Sequence, residues 1–297
     1  MNASHAYAMC LDSLYGAYLK YNYPYEFYSV LLKTFTEKGN QDKVVKIIDE
    51  MKRYKNIRLA PARFGQDNRD WYIDKQNQTI SQSLASLKFV SQPVAEDLYK
   101  CKDMKFETFT DLLRYLQMNT CLDKTNMEVL ISTGYFEQFG DRKKLLDIYD
   151  EYKNGTKLKQ KITNKTKSWE KRLEIIKNFE KEYPHVSCSI DEIVRFEQAY
   201  MGICVSTSAQ AANNEYMINE VDDQYSIKLM LYSLKRGTRG KLRIKKSLYE
   251  KLQPQAGQII LIKDCRKLPR RSFKNGISTK IPGEFEWWLY DYEVVNK

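Results

Sequence analysis

No apolar run approaches the roughly eighteen residues that a membrane-crossing helix requires, which excludes a helical span. The first residues lack the basic-then-apolar order of a secretory signal. Histidine is scarce: His5 and His185 are the two, neither is paired with a nucleophile, and no hydrolase constellation emerges. The six cysteines, Cys10, Cys101, Cys121, Cys188, Cys204 and Cys265, have no Cys-x-x-Cys spacing, so neither a zinc site nor a disulfide framework is suggested. A reduced, cytoplasmic setting follows. Acid is short of base, with 38 Asp and Glu against 49 Lys and Arg, and the net charge of +11 argues for a polyanionic partner. Charge alone does not choose between nucleic acid, a membrane surface and simple solubility.

What is present suffices for two or three compact units: 297 residues, 42% of them hydrophobic. Residues 5–55 read as helical, with Leu11, Leu14, Tyr18, Val30, Leu31, Phe35, Val44, Val45, Ile48 and Met51 at spacings that alternate three and four. Most of that stripe is expected in the core. Tyr23-Pro24 breaks the helix, and a short extended segment at Trp71-Tyr72-Ile73 is followed by a turn at Asn77-Gln78 and by Thr79-Ile80. A helix is expected from Pro93 to about Lys102, and another that ends on Gly134 as a left-handed cap, with Phe136 and Phe139 packing behind it. Asn154-Gly155 opens a basic stretch (Lys157, Lys159, Lys161, Lys165, Lys167, Lys171, Arg172, Lys177), readable as a solvated face or as a phosphate-tracking arm.

Beyond residue 206 the period shifts towards two. Tyr225, Ile227, Leu229 and Leu231 alternate, a basic turn spans Lys235–Gly240, and Leu242 and Ile244 continue the pattern. Ser247–Leu252 looks like one short helix, Gln258–Lys263 like a buried strand and Trp287–Val295 like a closing strand. Strand, basic hairpin, strand, short helix, strand is the order of a small OB-type barrel. Such barrels bind single strands through a basic groove and aromatic platforms. Arg236, Arg239, Lys241, Arg243, Lys245 and Lys246 gather near the hairpin, and Arg266, Lys267, Arg270, Arg271 and Lys274 in a second loop. Because neighbouring strand residues face opposite ways, only one of Trp287 and Trp288 can be core, and the other is a candidate platform or interface residue.

The stretch Asn2-Ala3-Ser4-His5-Ala6, leading through a helix to Leu19-Lys20 and then Tyr23-Pro24-Tyr25-Glu26-Phe27, resembles the end of the fingers in the alpha subunit of bacterial DNA polymerase III, without a gap over residues 1–27. The resemblance implies that the chain begins inside a fold with more protein ahead of it. It also implies that Ser4 and His5 touch the triphosphate of an incoming nucleotide, although Ser4 is equally suited to cap a helix. Ala3 stands where the family is usually basic, and Met1 where it is aromatic. Asp70-Trp71 resembles a common Asp-Phe, and Leu130–Glu137 resembles a Leu-Ile-x-x-Gly-Ala-Phe-Asp ending. Ser83–Ser91 matches a glycine-rich helix-hairpin-helix turn that offers backbone amides to a DNA phosphate. Here every glycine is replaced, with Phe89 and Ser91 at the hairpin positions and Lys88 retained. Phe196–Ser206 is similar to the segment that precedes the family's OB domain. No clamp-binding motif is recognisable.

The expected class is α+β and multidomain: a mostly helical fingers and helix-hairpin-helix part, then a small OB-like barrel. Its divisions are 1–78 (end of fingers), 79–153 (helix-hairpin-helix-like), 154–200 (basic linker) and 201–297 (barrel). A template-directed polymerase needs carboxylates holding two magnesium ions roughly 3.5–4 Å apart. The family carries them on a palm that precedes the fingers, so no cofactor is expected on this chain and Mg²⁺ only on a palm supplied elsewhere. Asp291 and Glu293 share a strand face but lie in the closing strand, and Asp222-Asp223 reads as loop. Two functions stay open. One is a DNA-binding part of a replicative polymerase working with a separately encoded palm, and the other a non-catalytic DNA-binding or scaffold protein derived from it.

Overall fold

The computed structural model describes residues 3–155, 169–224, 226–274 and 277–295. The basic run at Lys157–Lys167 and Tyr225, read from the sequence as part of the alternating pattern, lie outside them. Two compact units emerge, Met1–Cys188 with Tyr200–Ile203, and Ser189–Ala199 with Cys204–Lys297. Helices and sheets share the chain, as the α+β reading requires.

The first unit opens with α1 (Ala3–Asn22), α2 (Pro24–Glu37) and α3 (Gln41–Lys55), the break expected at Tyr23-Pro24 being joined by a second one before Gln41. Pro24 takes the first position of α2, where its missing amide costs nothing, while Tyr23 before it is pushed out of helical geometry at φ −130°. Asn40 caps α3 by accepting from the Lys43 amide at 3.1 Å, and Asn56 ends it in the left-handed region at φ 54°. Tyr28 and Leu32 of α2 pack with Val44, Ile48 and Met51 of α3 in the core. The expected stripe fails on α1. Leu14 is 66% and Tyr18 56% exposed, and Leu11 and Val30 are exposed too. Helical spacing produces an apolar face but not a surface to bury it on, and the interactions holding α1 lie near its C-terminal end, such as Lys20 to Glu50 at 2.5 Å.

β1 (Arg58–Ala60), β2 (Tyr72–Asp74) and β3 (Thr79–Ser81) form a sheet in the order β1-β3-β2, with β1 parallel and β2 antiparallel to β3. Asp74 braces the β2–β3 turn by accepting from the Asn77 amide at 3.0 Å. The sheet crosses residue 78, so residues 79–81 pair with the strands ahead of them. Then come α4 (Gln92–Lys100), α5 (Phe109–Asn119), α6 (Lys124–Ser132), α7 (Arg142–Asn154) and α8 (Trp169–Glu182). Asp123 and Asn126 make a reciprocal capping box on α6. At its far end the Tyr135 amide donates to Leu130 O and the Gly134 amide to Ile131 O, with Gly134 at φ 85°. That φ strains any residue with a Cβ, and a Cβ on Gly134 would also displace Glu137 Oε1, 2.6 Å away. Phe64, Phe109, Phe136 and Phe139 cluster behind this turn with ring centroids 5.6–6.2 Å apart.

The second unit holds α9 (Ile190–Phe196), β4 (Glu215–Asp222), β5 (Lys228–Ser233), β6 (Arg239–Ile244), α10 (Lys246–Leu252), β7 (Ile259–Lys274) and β8 (Ile277–Val294). The strands close a barrel in the order β4-β5-β6-β8-β7, antiparallel except for β6 with β8. Ile218, Leu229, Leu231, Leu242, Ile244, Ile260, Leu289 and Tyr292 fill it, with alternate residues of β5 and β6 turning inward. The second basic loop expected at 266–274 is instead strand. β4 pairs with β7 only at Ile259–Leu261 and β6 with β8 only at Trp287–Leu289, yet β7 and β8 pair on to Lys274 and Ile277 as a ribbon. Apolar and polar residues do not alternate along Arg266–Lys274, so the hydrophobic period is missing from the sequence there.

Candidate nucleic-acid interface

Strand β6 lifts its polar residues to one face, because Leu242 and Ile244 between them point into the barrel. Lys241 is exposed there, and Arg243 is half-buried, donating from Nη1 to Glu286 Oε1 at 2.6 Å and Oε2 at 2.8 Å. The guanidinium lies 4.9 Å from the Trp288 ring, and Trp288 Nε1 also donates to Glu286, at 3.1 Å. Neither tryptophan is core, contrary to the sequence expectation. Leu289 takes that place, Trp288 is sandwiched under Arg243, and Trp287 is 47% exposed. Phe285, two residues back on β8, is 54% exposed with Lys267 Nζ 4.8 Å from its ring.

Two hollows share Arg243. One of about 570 Å³ is lined by Lys228, Lys241, Arg270, Arg271, Phe285 and Trp287 among others. The other, about 610 Å³, takes in Lys245, Lys246, Tyr249 and Trp288. The loop between β4 and β5 contributes Ser226 to both. Lys228 is matched by Asp222 at 3.2 Å, which holds the Asp222 carboxyl below the usual carboxylate range, and Arg270 by Glu284 at 2.7 Å. Lys241 and Arg271 have no carboxylate within salt-bridge distance among the described residues. Lys245 reaches over Tyr290, with Nζ 5.2 Å from the ring centre, and Lys246 faces Glu250 at 3.8 Å.

Not every expected residue joins this site. Arg236 is exposed in the β5–β6 turn, but Arg239 is turned away, its Nη2 donating to Cys204 O at 2.8 Å. Arg270 and Arg271, read as loop, stand on β7 and line the first hollow. Phe285 and Glu286 carry no local signal in the sequence, since only the ribbon pairing brings them opposite Pro269 and Leu268.

In the first unit, Ser4 and His5 lie in the first turn of α1, which places Ser4 inside the helix rather than at its N-cap, and His5 is exposed. Lys88 is exposed at the turn before α4, but its amide already donates to Tyr200 O at 2.9 Å and that of Val90 to Leu87 O at 3.2 Å. Two of the amides expected to cradle a phosphate are therefore engaged. Phe89 nevertheless keeps a glycine-like backbone, φ 66°. A larger hollow of about 930 Å³ includes Lys33, Asp67, Arg69, Asp70 and Glu96, and both cations are paired there, Lys33 with Asp70 at 2.5 Å and Arg69 with Asp67 at 2.8 Å, which leaves acid in excess.

Comparison with known proteins supplies the rest. Over 170 residues the chain is 32% identical to the DNA polymerase III subunit alpha of Campylobacter jejuni, an alignment covering 56% of this chain and 14% of that protein. The corresponding subunit of Bacillus subtilis is 29% identical over 146 residues, covering 49% of this chain and 13% of its own length. That of Staphylococcus epidermidis is 25% identical over 194 residues, 61% of this chain and 18% of its own. The chain is similar to the DNA polymerase III alpha subunit. It spans less than a fifth of the length of these relatives. No family model matches the chain. The likeness to the alpha subunit over about half the chain bears out the resemblance read from its residues.

In an alpha-like chain the carboxylates bear on the chemistry. Among the described residues no three of His, Cys, Asp and Glu come together as a metal-binding group. Glu293 is instead paired with Lys263 at 2.9 Å, which lowers its pKa, and Asp291 stands opposite Asp264. No described helix is long and apolar enough to cross a membrane.

Proposed function

We propose that this chain acts in DNA replication as a DNA-holding part of a DNA polymerase III alpha-like polymerase. Its barrel serves as an OB-type single-strand site and residues 79–153 as a helix-hairpin-helix-like DNA contact. The observation that carries this reading is the convergence of Lys241, Arg243, Arg271, Phe285 and Trp287 on the β6–β8 face and its ribbon. In OB barrels the second and third strands, with the loops after the first and fourth, bind oligonucleotides. Here β5, β6, the β4–β5 loop and the β7–β8 ribbon occupy those positions. Exposed rings beside unmatched cations are what base stacking and phosphate tracking need.

The magnesium-holding palm carboxylates belong, on this reading, to a separately encoded palm. The exposed side of α1, with Leu11, Leu14, Tyr15 and Tyr18, is the surface that would receive it. A second reading, a non-catalytic DNA-binding or scaffold protein, is favoured by one observation: Phe89 replaces a hairpin glycine and two of the turn's amides are engaged. Fluorescence anisotropy of a labelled single strand and of a primer-template, titrated from about 50 to about 200 mM salt, tests the shared part of both. Affinity should fall steeply and log-linearly as rising salt reduces the gain from counterion release. A flat response or no binding overturns the proposal. Primer extension with and without a palm-bearing partner then separates the two readings.

A further inference from the structure

Phe89 combines two features that nothing else in the described chain explains. Among the described residues it is one of four non-glycine residues at positive φ, at 66°, and the only aromatic of the four. A bulky side chain in that region is an outlier, because its Cβ crowds the following carbonyl. Its ring is also 66% exposed, so no burial within the chain compensates for the conformation. The turn that carries it is not loose. Leu87 and Val90 on either side are buried, Asn126 Nδ2 donates to Phe89 O at 2.6 Å, and the Lys88 amide donates to Tyr200 O. The backbone at the tip of this packed turn is thus pinned, and the ring projects outward from it.

The surroundings indicate what it meets. Lys88 beside it is exposed, and Ser91 heads α4 without a side-chain cap, so the positive end of that helix opens next to the ring. An outward aromatic beside a lysine and a helix N-terminus matches a polyanion with apolar faces inside it. Resting on the DNA-binding reading above, we infer that Phe89 is a wedge that inserts against a base step of duplex DNA while Lys88 takes the adjacent phosphate. Apolar side chains of this kind partly unstack the step they enter. Preorganisation of the turn means that little backbone freedom is lost on insertion. The amide cradle of a glycine turn is replaced by a side-chain contact at the same place.

The test uses the full chain with duplex and primer-template DNA carrying 2-aminopurine at successive positions. Wild-type protein should raise the emission at one position, reporting unstacking. Phe89→Gly, which relieves the backbone, should melt no lower than wild type, still bind DNA through the barrel, lose the emission rise and bind duplex about tenfold more weakly. Phe89→Trp should keep the rise. An equal rise and equal affinity in Phe89→Gly would overturn the wedge and leave the DNA-binding reading standing. If neither protein binds DNA, the reading itself falls and the wedge with it. Loss of a protein partner in Phe89→Gly, with DNA binding unchanged, would assign the ring to that partner and overturn the inference.

Discussion

Glu180 shows how one side chain ties distant segments together. Buried on α8, it accepts from the Phe109 amide at 2.8 Å, the Thr110 amide at 3.0 Å and Thr110 Oγ1 at 2.7 Å, closing the N-terminus of α5. Glu197 does the same for the Val205 and Ser206 amides at 2.8 and 3.1 Å. A carboxylate with three donors in a buried setting leaves those donors orphaned when it is removed, so Glu180→Ala should cost about 2–3 kcal/mol in urea unfolding. Asp97 makes a pH-dependent counterpart. Its carboxyl accepts from Lys100 at 2.7 Å and from the Cys121 amide at 2.9 Å, and these bonds, Lys100 first, hold its pKa below the ordinary 3.8. A depressed folded-state pKa stabilises fully above the unfolded value and is lost as pH falls through the folded one. Asp97→Asn should therefore flatten the acid limb of the stability profile below the ordinary aspartate range and leave its neutral-to-basic shape alone. An acid limb identical to wild type would refute the assignment.

Among the elements, α1 and α2 differ in what covers them. Leu32 is fully buried between α2 and α3, and truncating it to Ala should cost about 2–5 kcal/mol. Leu14→Asp on α1 should change stability by no more than about 0.5 kcal/mol, because that side chain gives up little burial. If Leu14→Asp destabilised as much as Leu32→Ala, the exposed side of α1 would not be free. The thiols report on elements in the same way. Cys10 and Cys121 are exposed, whereas Cys101 and Cys204 are buried, their thiols pushed up to about 11 and about 12 by desolvation. An alkylating reagent at neutral pH should label Cys10 and Cys121 first, and Cys101 and Cys204 only on unfolding. How much of this was legible varies with the element. The Pro24 break, the Gly134 cap and the inner residues of β5 and β6 could be read from local chemistry. The ribbon could not, because its strands are held by pairing with each other and have little apolar alternation to announce them.

For the whole molecule, the net charge of +11 matters only where cations are left unmatched. Many of the basic residues are paired, as Arg243 is with Glu286 and Arg270 with Glu284. On the proposed reading, Lys241 and Arg271 are the ones that would meet phosphate. Replacing both by Ala should shallow the slope of log affinity against log salt by about 1.4 for single strands, about 0.7 for each phosphate no longer neutralised. Arg239→Ala should act mainly on stability, since that guanidinium serves Cys204 O. A slope that changed with Arg239 and not with Lys241 and Arg271 would move the interface to the other end of β6. The basic composition thus raises the expectation of a polyanion, while the pairing pattern decides which cations are left without a carboxylate partner.

The sequence by itself determined the helix breaks, the alternation of the barrel core, the scarcity of ligand-type residues and the likeness to a polymerase subunit, because each is written in neighbouring residues or in spacings of two to four. The tertiary structure decided that α1 stays uncovered, that Arg239 turns inward, that both tryptophans lie outside the core and that Phe89 holds a glycine conformation. Those outcomes depend on which surfaces and partners come within reach after folding. Burial and pairing are properties of residues far apart in the chain that folding brings together, and no local pattern encodes them.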